Sequence, residues 1–137
     1  MTPEQERKKE WLNRAFYADQ KIKALEAVQI EDTALVTKYK EKCTNLQELA
    51  SFTEELEKRE QELRRSLDGL QLIREEIRAA IKAVHNPEAE SILNMKYLGY
   101  MKTCEIADKL NYDRRTIQRK HIEALDSIAI DTMGELL

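Results

Sequence analysis

The feature that most restricts what this chain can become is a ladder of six apolar residues, each seven apart: Leu49, Leu56, Leu63, Leu70, Ile77 and Val84. That spacing places all of them on one stripe of an α-helix. Phe52, Leu67, Ile73 and Ile81 fill the interleaved seam, while Glu60 and Arg74 interrupt it. Polar intrusions of this kind lower stability and fix register. As one helix, residues 46–84 would extend roughly 58 Å, with Gly69 as a place for a bend. Such a stripe cannot stand alone in water, because its apolar area must be removed from solvent. It needs the N-terminal helix, a second copy of the chain, or both. The expectation is a helical hairpin that also forms a homodimer.

Composition agrees with an all-α fold: three Gly, two Pro, 36% charged and 42% hydrophobic residues suit long amphipathic helices. Thr2-Pro3-Glu4-Gln5 reads as a capping box with Pro at the first helical position. Trp11, Ala15, Ala18, Ile22 and Leu25 then carry an apolar stripe, predicting a helix to about residue 29. Glu31-Asp32-Thr33 offers a restart, and Leu35, Val36, Tyr39 and Cys43 extend the stripe; the spacing leaves open a separate helix or a continuation. Thr44-Asn45-Leu46-Gln47 reads as a further capping box. Residues 1–85 are therefore expected to form a long antiparallel coiled-coil region for oligomerisation, residues 86–130 a three-helix unit, and residues 131–137 a short tail. No apolar run approaches the ~20 residues of a membrane span, and the acid-bearing N-terminus is no signal peptide. Cys43 and Cys104 read as reduced thiols, so a cytoplasmic setting is expected.

Chemistry concentrates in the last third. Asn86-Pro87-Glu88 starts a helix through Ile92, Leu93, Met95 and Leu98, with Gly99 as its stop. Thr103 is placed to cap a second helix whose Ile106, Ala107 and Leu110 share one face. Asn111-Tyr112-Asp113 makes a turn, Asn tolerating the left-handed conformation and Asp113 capping the next helix. There Ile117, Ala124 and Leu125 point inward, with His121 on the same side as a semi-buried residue, and Arg114, Arg115, Gln118 and Arg119 point out. This is the layout of a helix-turn-helix, whose second helix offers its first turns to the major groove. Arg pairs two-pronged with guanine and Gln with adenine. Lys109, Arg114, Arg115, Arg119 and Lys120 lie within twelve residues against Asp113 alone, although the whole chain carries a net charge of −3. Phosphate affinity follows the local potential, so salt-sensitive binding by one face is expected.

Glu105-Ile106-Ala107, Leu110, Tyr112, Arg114, Ile117 and Ala124-Leu125 resemble the last conserved region of bacterial sigma factors. The run from Arg114 to His121 is closer still to phage and prophage late-gene regulators of the ArpU type. The detailed resemblance spans Pro87 to Leu125, with one departure: Lys120 stands where both groups usually place an apolar residue. It implies a sigma-like helix-turn-helix after a helical N-terminal part, double-stranded promoter DNA as partner, activation of late genes, and RNA polymerase as a further partner. It also implies that Arg114, Arg115, Gln118 and Arg119 face bases and backbone, and that Thr116 serves phosphate or capping. Lys102 and Thr103 would hold a phosphate on the flanking strand.

Other chemistry is not expected. Cys43, Cys104, His85 and His121 lack zinc spacing, so no metal is expected. With no Gly-rich phosphate loop and no nucleophile motif, neither an enzyme nor a cofactor is expected. Trp11, Tyr17, Tyr39 and Phe52 fall at helical spacing and read as packing residues. Two rivals stand beside the regulator: a helical adaptor that binds other proteins, and a DNA-packaging protein like a terminase small subunit.

Overall fold

The computed structural model describes residues 1–42 and 46–129, apart from the side chain of Tyr39. The expected Thr44–Gln47 capping box and the 131–137 tail therefore lie wholly or partly outside the described residues. The elements are α1 (Pro3–Leu12), α2 (Arg14–Lys42), α3 (Leu46–Lys82), α4 (Pro87–Leu93) running into a π-helical turn (Asn94–Leu98), α5 (Thr103–Leu110) and α6 (Arg114–Asp126). Every regular element among the described residues is helical, which makes the fold all-α.

The N-terminal capping box forms as the sequence suggests. The Thr2 hydroxyl accepts from the Gln5 N–H at 3.2 Å, and the Gln5 side chain accepts from the Thr2 N–H at 2.9 Å. The helix does not continue to residue 29. It stops at Leu12, with Asn13 as C-cap, and the chain resumes as α2. Arg14 holds this break. Its Nε donates to the Trp11 carbonyl at 3.0 Å, satisfying an acceptor at the end of α1, and its guanidinium lies 4.5 Å from the centre of the Trp11 ring. Beyond it α2 runs unbroken through Glu31-Asp32-Thr33, so no restart occurs there.

The chain divides into two compact units, one made of Met1–Tyr17 with the chain from Leu72 onward, the other of Ala18–Gln71. This differs from a boundary at residue 85. Both the first helix and the last turns of the heptad helix belong with the C-terminal elements, for a reason visible in the contacts of α1. Gln5 Nε2 donates to Asp126 Oδ1 at 2.7 Å, and Lys8 Nζ donates to the Asp126 carbonyl at 3.2 Å. Both groups meet the C-terminus of α6, where carbonyls lack partners and a cation is favoured by the helix dipole. Leu12, Ala15, Ile77, Ile92, Leu93, Ile106 and Leu125 are wholly buried in this unit.

Gly99 is the C-cap where this helix stops, as the sequence suggests, but not in a left-handed conformation. Its φ is −90°, and the left-handed residue is Tyr100 with φ 56°. The π-turn closes through Gly99 N–H to the Asn94 carbonyl at 2.9 Å and Met101 N–H to the Met95 carbonyl at 3.0 Å. A Cβ on Gly99 would lie 2.8 Å from the Met95 oxygen, so glycine is needed for close approach rather than for handedness. Tyr100 is held in its unusual conformation from three sides: Arg74 Nη1 donates to its hydroxyl at 3.0 Å, the hydroxyl donates to the Ala15 carbonyl at 3.4 Å, and Phe16 packs edge-on at 5.7 Å. Arg74 also donates to the Leu98 carbonyl at 3.1 Å. The polar interruption of the heptad seam at Arg74 thus ties down the chain where the π-turn ends.

The second unit is built from α2 beyond Tyr17 and from α3 as far as Gln71. Ile22 and Val36 are buried, and Leu49, Leu56, Leu63 and Leu70 of the heptad ladder are half-buried. Arg59 forms an ion pair with Asp32, and Leu35, Val36, Phe52 and Leu56 line a cavity of about 150 Å³. Val28, Ile30, Leu35, Leu46, Phe52 and Leu67 are exposed. Gly69 sits within an uninterrupted α3.

Leucine truncations separate core from surface. Leu12→Ala, at a residue with 0% exposure, should lower the unfolding free energy by about 3 kcal/mol in urea titrations, whereas Leu72→Ala, at 61% exposure, should change it by less than about 0.5 kcal/mol. Equal effects of the two substitutions would contradict the burial of α1.

Candidate nucleic-acid interface

The candidate surface begins at α5. Lys102 is its N-cap, accepting through its carbonyl from the N–H groups of Glu105 at 3.0 Å and Ile106 at 3.1 Å, with no side-chain cap. Thr103 is the first helical residue and does not cap, contrary to the sequence expectation. Ile106 and Ala107 form a core with Ile92 and Ile117, against which Met95, Met101 and Leu110 pack. The helix ends at Asn111, left-handed at φ 58°, and the Tyr112 N–H returns to the Ala107 carbonyl at 3.0 Å. Asp113 then caps α6, accepting from the Thr116 N–H at 2.7 Å. The Thr116 hydroxyl also donates to Asp113, and these two bonds hold that carboxyl below its usual range. The Thr116 hydroxyl is therefore used by the cap.

On α6 the division of faces is clean. Ile117, His121, Ala124 and Leu125 are buried, while Arg114, Arg115, Gln118 and Arg119 are all exposed. Arg119 Nε lies 4.0 Å from Glu123 Oε1, and neither Arg114 nor Arg115 has an ion-pair partner among the described residues. Lys102 is exposed and Thr103 half-buried at the start of α5, with no hydrogen bond from either side chain to α6.

Lys120 is set apart from these cations. Its ammonium is 2.5 Å from Glu88 Oε1 and 5.2 Å from the centre of the Tyr112 ring, and the Tyr112 hydroxyl donates to Glu88 Oε2 at 2.8 Å. The bonds from Lys120 and Tyr112 hold the Glu88 carboxyl below its usual range. Bonding to Glu88 raises both donors. Where an apolar residue was expected, a polar strap joins α6, the turn and the start of α4.

The inner face of α6 carries one buried titratable pair. The Tyr97 hydroxyl lies 2.5 Å from His121 Nε2, and both residues are almost fully buried. Burial, with a smaller contribution from Glu6, pushes Tyr97 up, so it keeps its proton. Burial pushes His121 down to about 4, and the charges of Lys96 and Lys9 push it the same way. The neutral imidazole accepts from the phenol. Three of the anchors described here, Gln5, Lys8 and Tyr97, escaped the sequence reading. Gln5, Lys8 and Leu12 do recur three and four residues apart, the spacing of a helix face, but two of them are polar.

Acid should therefore weaken the fold through His121. Below about pH 6.5 the unfolded chain takes up a proton that the folded imidazole refuses until about pH 4. Stability from this group is complete above that window and falls through it, by up to about 1.4 kcal/mol per pH unit. Melting temperatures at about pH 7.5 and 5.5 should differ more for wild type than for His121→Gln, which keeps an acceptor for Tyr97 and cannot titrate. Equal pH dependence in the two proteins would contradict a buried neutral His121.

Among the described residues no group of three or more His, Cys, Asp or Glu could hold a metal ion, and no helix is long and apolar enough to cross a membrane. Residues 72–129 match a family described as a protein of unknown function, DUF1492. The matched stretch begins where the first compact unit resumes after Tyr17 and covers α4, α5 and α6. No curated protein and no solved structure matches the chain.

Proposed function

We propose that this protein is a sequence-specific DNA-binding transcriptional regulator of phage or prophage type. In this reading α5 and α6 form a sigma-like helix-turn-helix. The observation that carries it is the exposed set Arg114, Arg115, Gln118 and Arg119 on the first turns of α6, opposite a buried apolar face. Among the described residues, Arg115 and Gln118 have no ion-pair or hydrogen-bond partner to give up on binding, and Arg119 has only a long contact to Glu123. Arg and Gln at such positions read guanine and adenine edges in the major groove. Lys102 and the start of α5 approach a phosphate on the flanking strand. Activation of late genes and contact with RNA polymerase follow from the resemblance of Arg114–His121 to ArpU-type regulators.

The long helices α2 and α3 pair as an antiparallel hairpin and join two copies of the chain. The exposed Val28, Ile30, Leu35 and Leu67 support that part, because scattered apolar residues along a two-helix unit gain from a second copy. The same residues favour a second reading, an adaptor that binds another protein through this unit. Light scattering separates the outcomes: a dimer supports the regulator, a monomer that captures a protein partner the adaptor, and a ring the packaging protein.

DNA binding is tested by fluorescence anisotropy on late-promoter duplexes across a salt series. Wild-type affinity should fall steeply with salt as phosphates are neutralised. Arg115→Ala with Arg119→Ala should lose roughly a hundredfold on the preferred duplex and much less on random sequence. Equal binding by wild type and double variant would remove the base-reading role.

A further inference from the structure

Helix α2 carries a second face that nothing among the described residues covers. Toward α3 it turns Ile22, Leu25 and Val36, buried or half-buried, with Asp32 in an ion pair to Arg59. Lys21, Ala24, Val28 and Glu31 are all exposed, spaced three, four and three residues apart, and Leu35 follows four later. That spacing puts them on one stripe of the helix. At about 100° per residue the two faces are centred roughly 110° apart. A helix inside a four-helix bundle touches two neighbours in this way. On the uncovered stripe Val28 is 52% exposed and Leu35 55%.

The charges on this stripe indicate what covers it. Lys23, beside it, is already paired with Asp19 at 3.3 Å. Lys21 and Glu31 have no ion-pair partner among the described residues. Ten residues apart on one helix, they stand roughly 15 Å from each other and cannot meet within a chain. The spacing three, four, three reads the same in both directions. An antiparallel copy of α2 therefore sets Lys21 against Glu31 and Ala24 against Val28, each pairing occurring twice about a two-fold axis. A small residue then faces a larger one at the centre, and opposite charges flank them on both sides. A parallel copy in register would set lysine on lysine and glutamate on glutamate, which opposes association.

We infer that this face of α2 is the docking surface for a second copy of the chain, seated antiparallel, with Lys21 against the partner's Glu31 and Ala24 against the partner's Val28. This rests on the reading above that the second unit joins two copies, and it is independent of DNA binding. Each copy offers the same patch to the other, so the pairing is closed and assembly stops at two.

The test is sedimentation equilibrium on the full chain at low salt, where such pairs are least screened. Lys21→Glu sets carboxylates opposite each other, and Glu31→Lys sets ammonium groups opposite each other. Each should weaken the dimer roughly tenfold. The double variant exchanges the charges and should return to within about threefold of wild type. Ala24→Glu places a charge against Val28 with no counterpart and should weaken the dimer by roughly tenfold or more. All these positions are exposed, so circular dichroism should show unchanged helix content. A wild type that stays monomeric would refute the joining of two copies, and this face with it. A wild-type dimer unmoved by every variant would overturn this face and leave a dimer built on another. Weakening by Ala24→Glu without loss in the single charge variants and recovery in the double one would contradict the antiparallel register. A ring, or any assembly beyond two, would overturn the closed pairing.

Discussion

The C-terminus of α6 is the point on which the rest of the first unit depends. Asp126 receives Gln5 through its side chain and Lys8 through its carbonyl, so the start of the chain closes the end of its last described helix. Helix termini leave carbonyls without partners, and a buried end without such closure is costly. Here a lysine supplies both the hydrogen bond and the charge that suits the negative end of the helix dipole. With α6 secured at one end by α1 and at the other by the Asp113 cap, its inner side chains can be buried and its outer ones left free. The strap from Lys120 to Glu88 and the bond from Tyr97 to His121 fix the remaining freedom, rotation about the helix axis.

What the sequence made legible was mostly local. The Thr2 capping box, the Asn86-Pro87 start, the left-handed Asn111 and the Asp113 cap each depend on residues two to four apart, and each is present. The same is true of the split of α6 into buried Ile117, His121, Ala124 and Leu125 and exposed arginines. What escaped depended on partners far away in sequence. Nothing near residue 5 announces that Gln5 will meet Asp126, and apolar periodicity assigns α1 to the heptad helix by default. Arg74 read as a flaw in the seam because its acceptors, Leu98 and Tyr100, lie beyond the helix. Gly99 does stop its helix, but the reason was hidden: the absent Cβ makes room for the Met95 carbonyl, and φ is not positive. Thr103 read as a cap, and the chain places its turn one residue earlier.

The two units differ in how completely they solve the problem of apolar area. In the first, the residues of the core are sealed, and even Lys8, Gln5 and His121 are buried with partners. In the second, Ile22 and Val36 are buried while Val28, Ile30 and Leu35 on the same helix face water. Two helices offer too little surface to shield each other, so these side chains stay exposed. The heptad ladder thus spans two environments, with Ile77 fully enclosed and Leu49 to Leu70 only half so.

The central claim is that the exposed side chains of α6 read bases rather than decorate a solvated surface. Selection of bound duplexes from a random-sequence library tests it most directly. The account predicts one enriched motif, with positions set by Arg115, Gln118 and Arg119. Recovery of an unenriched library, bound equally in every sequence or not at all, would contradict it.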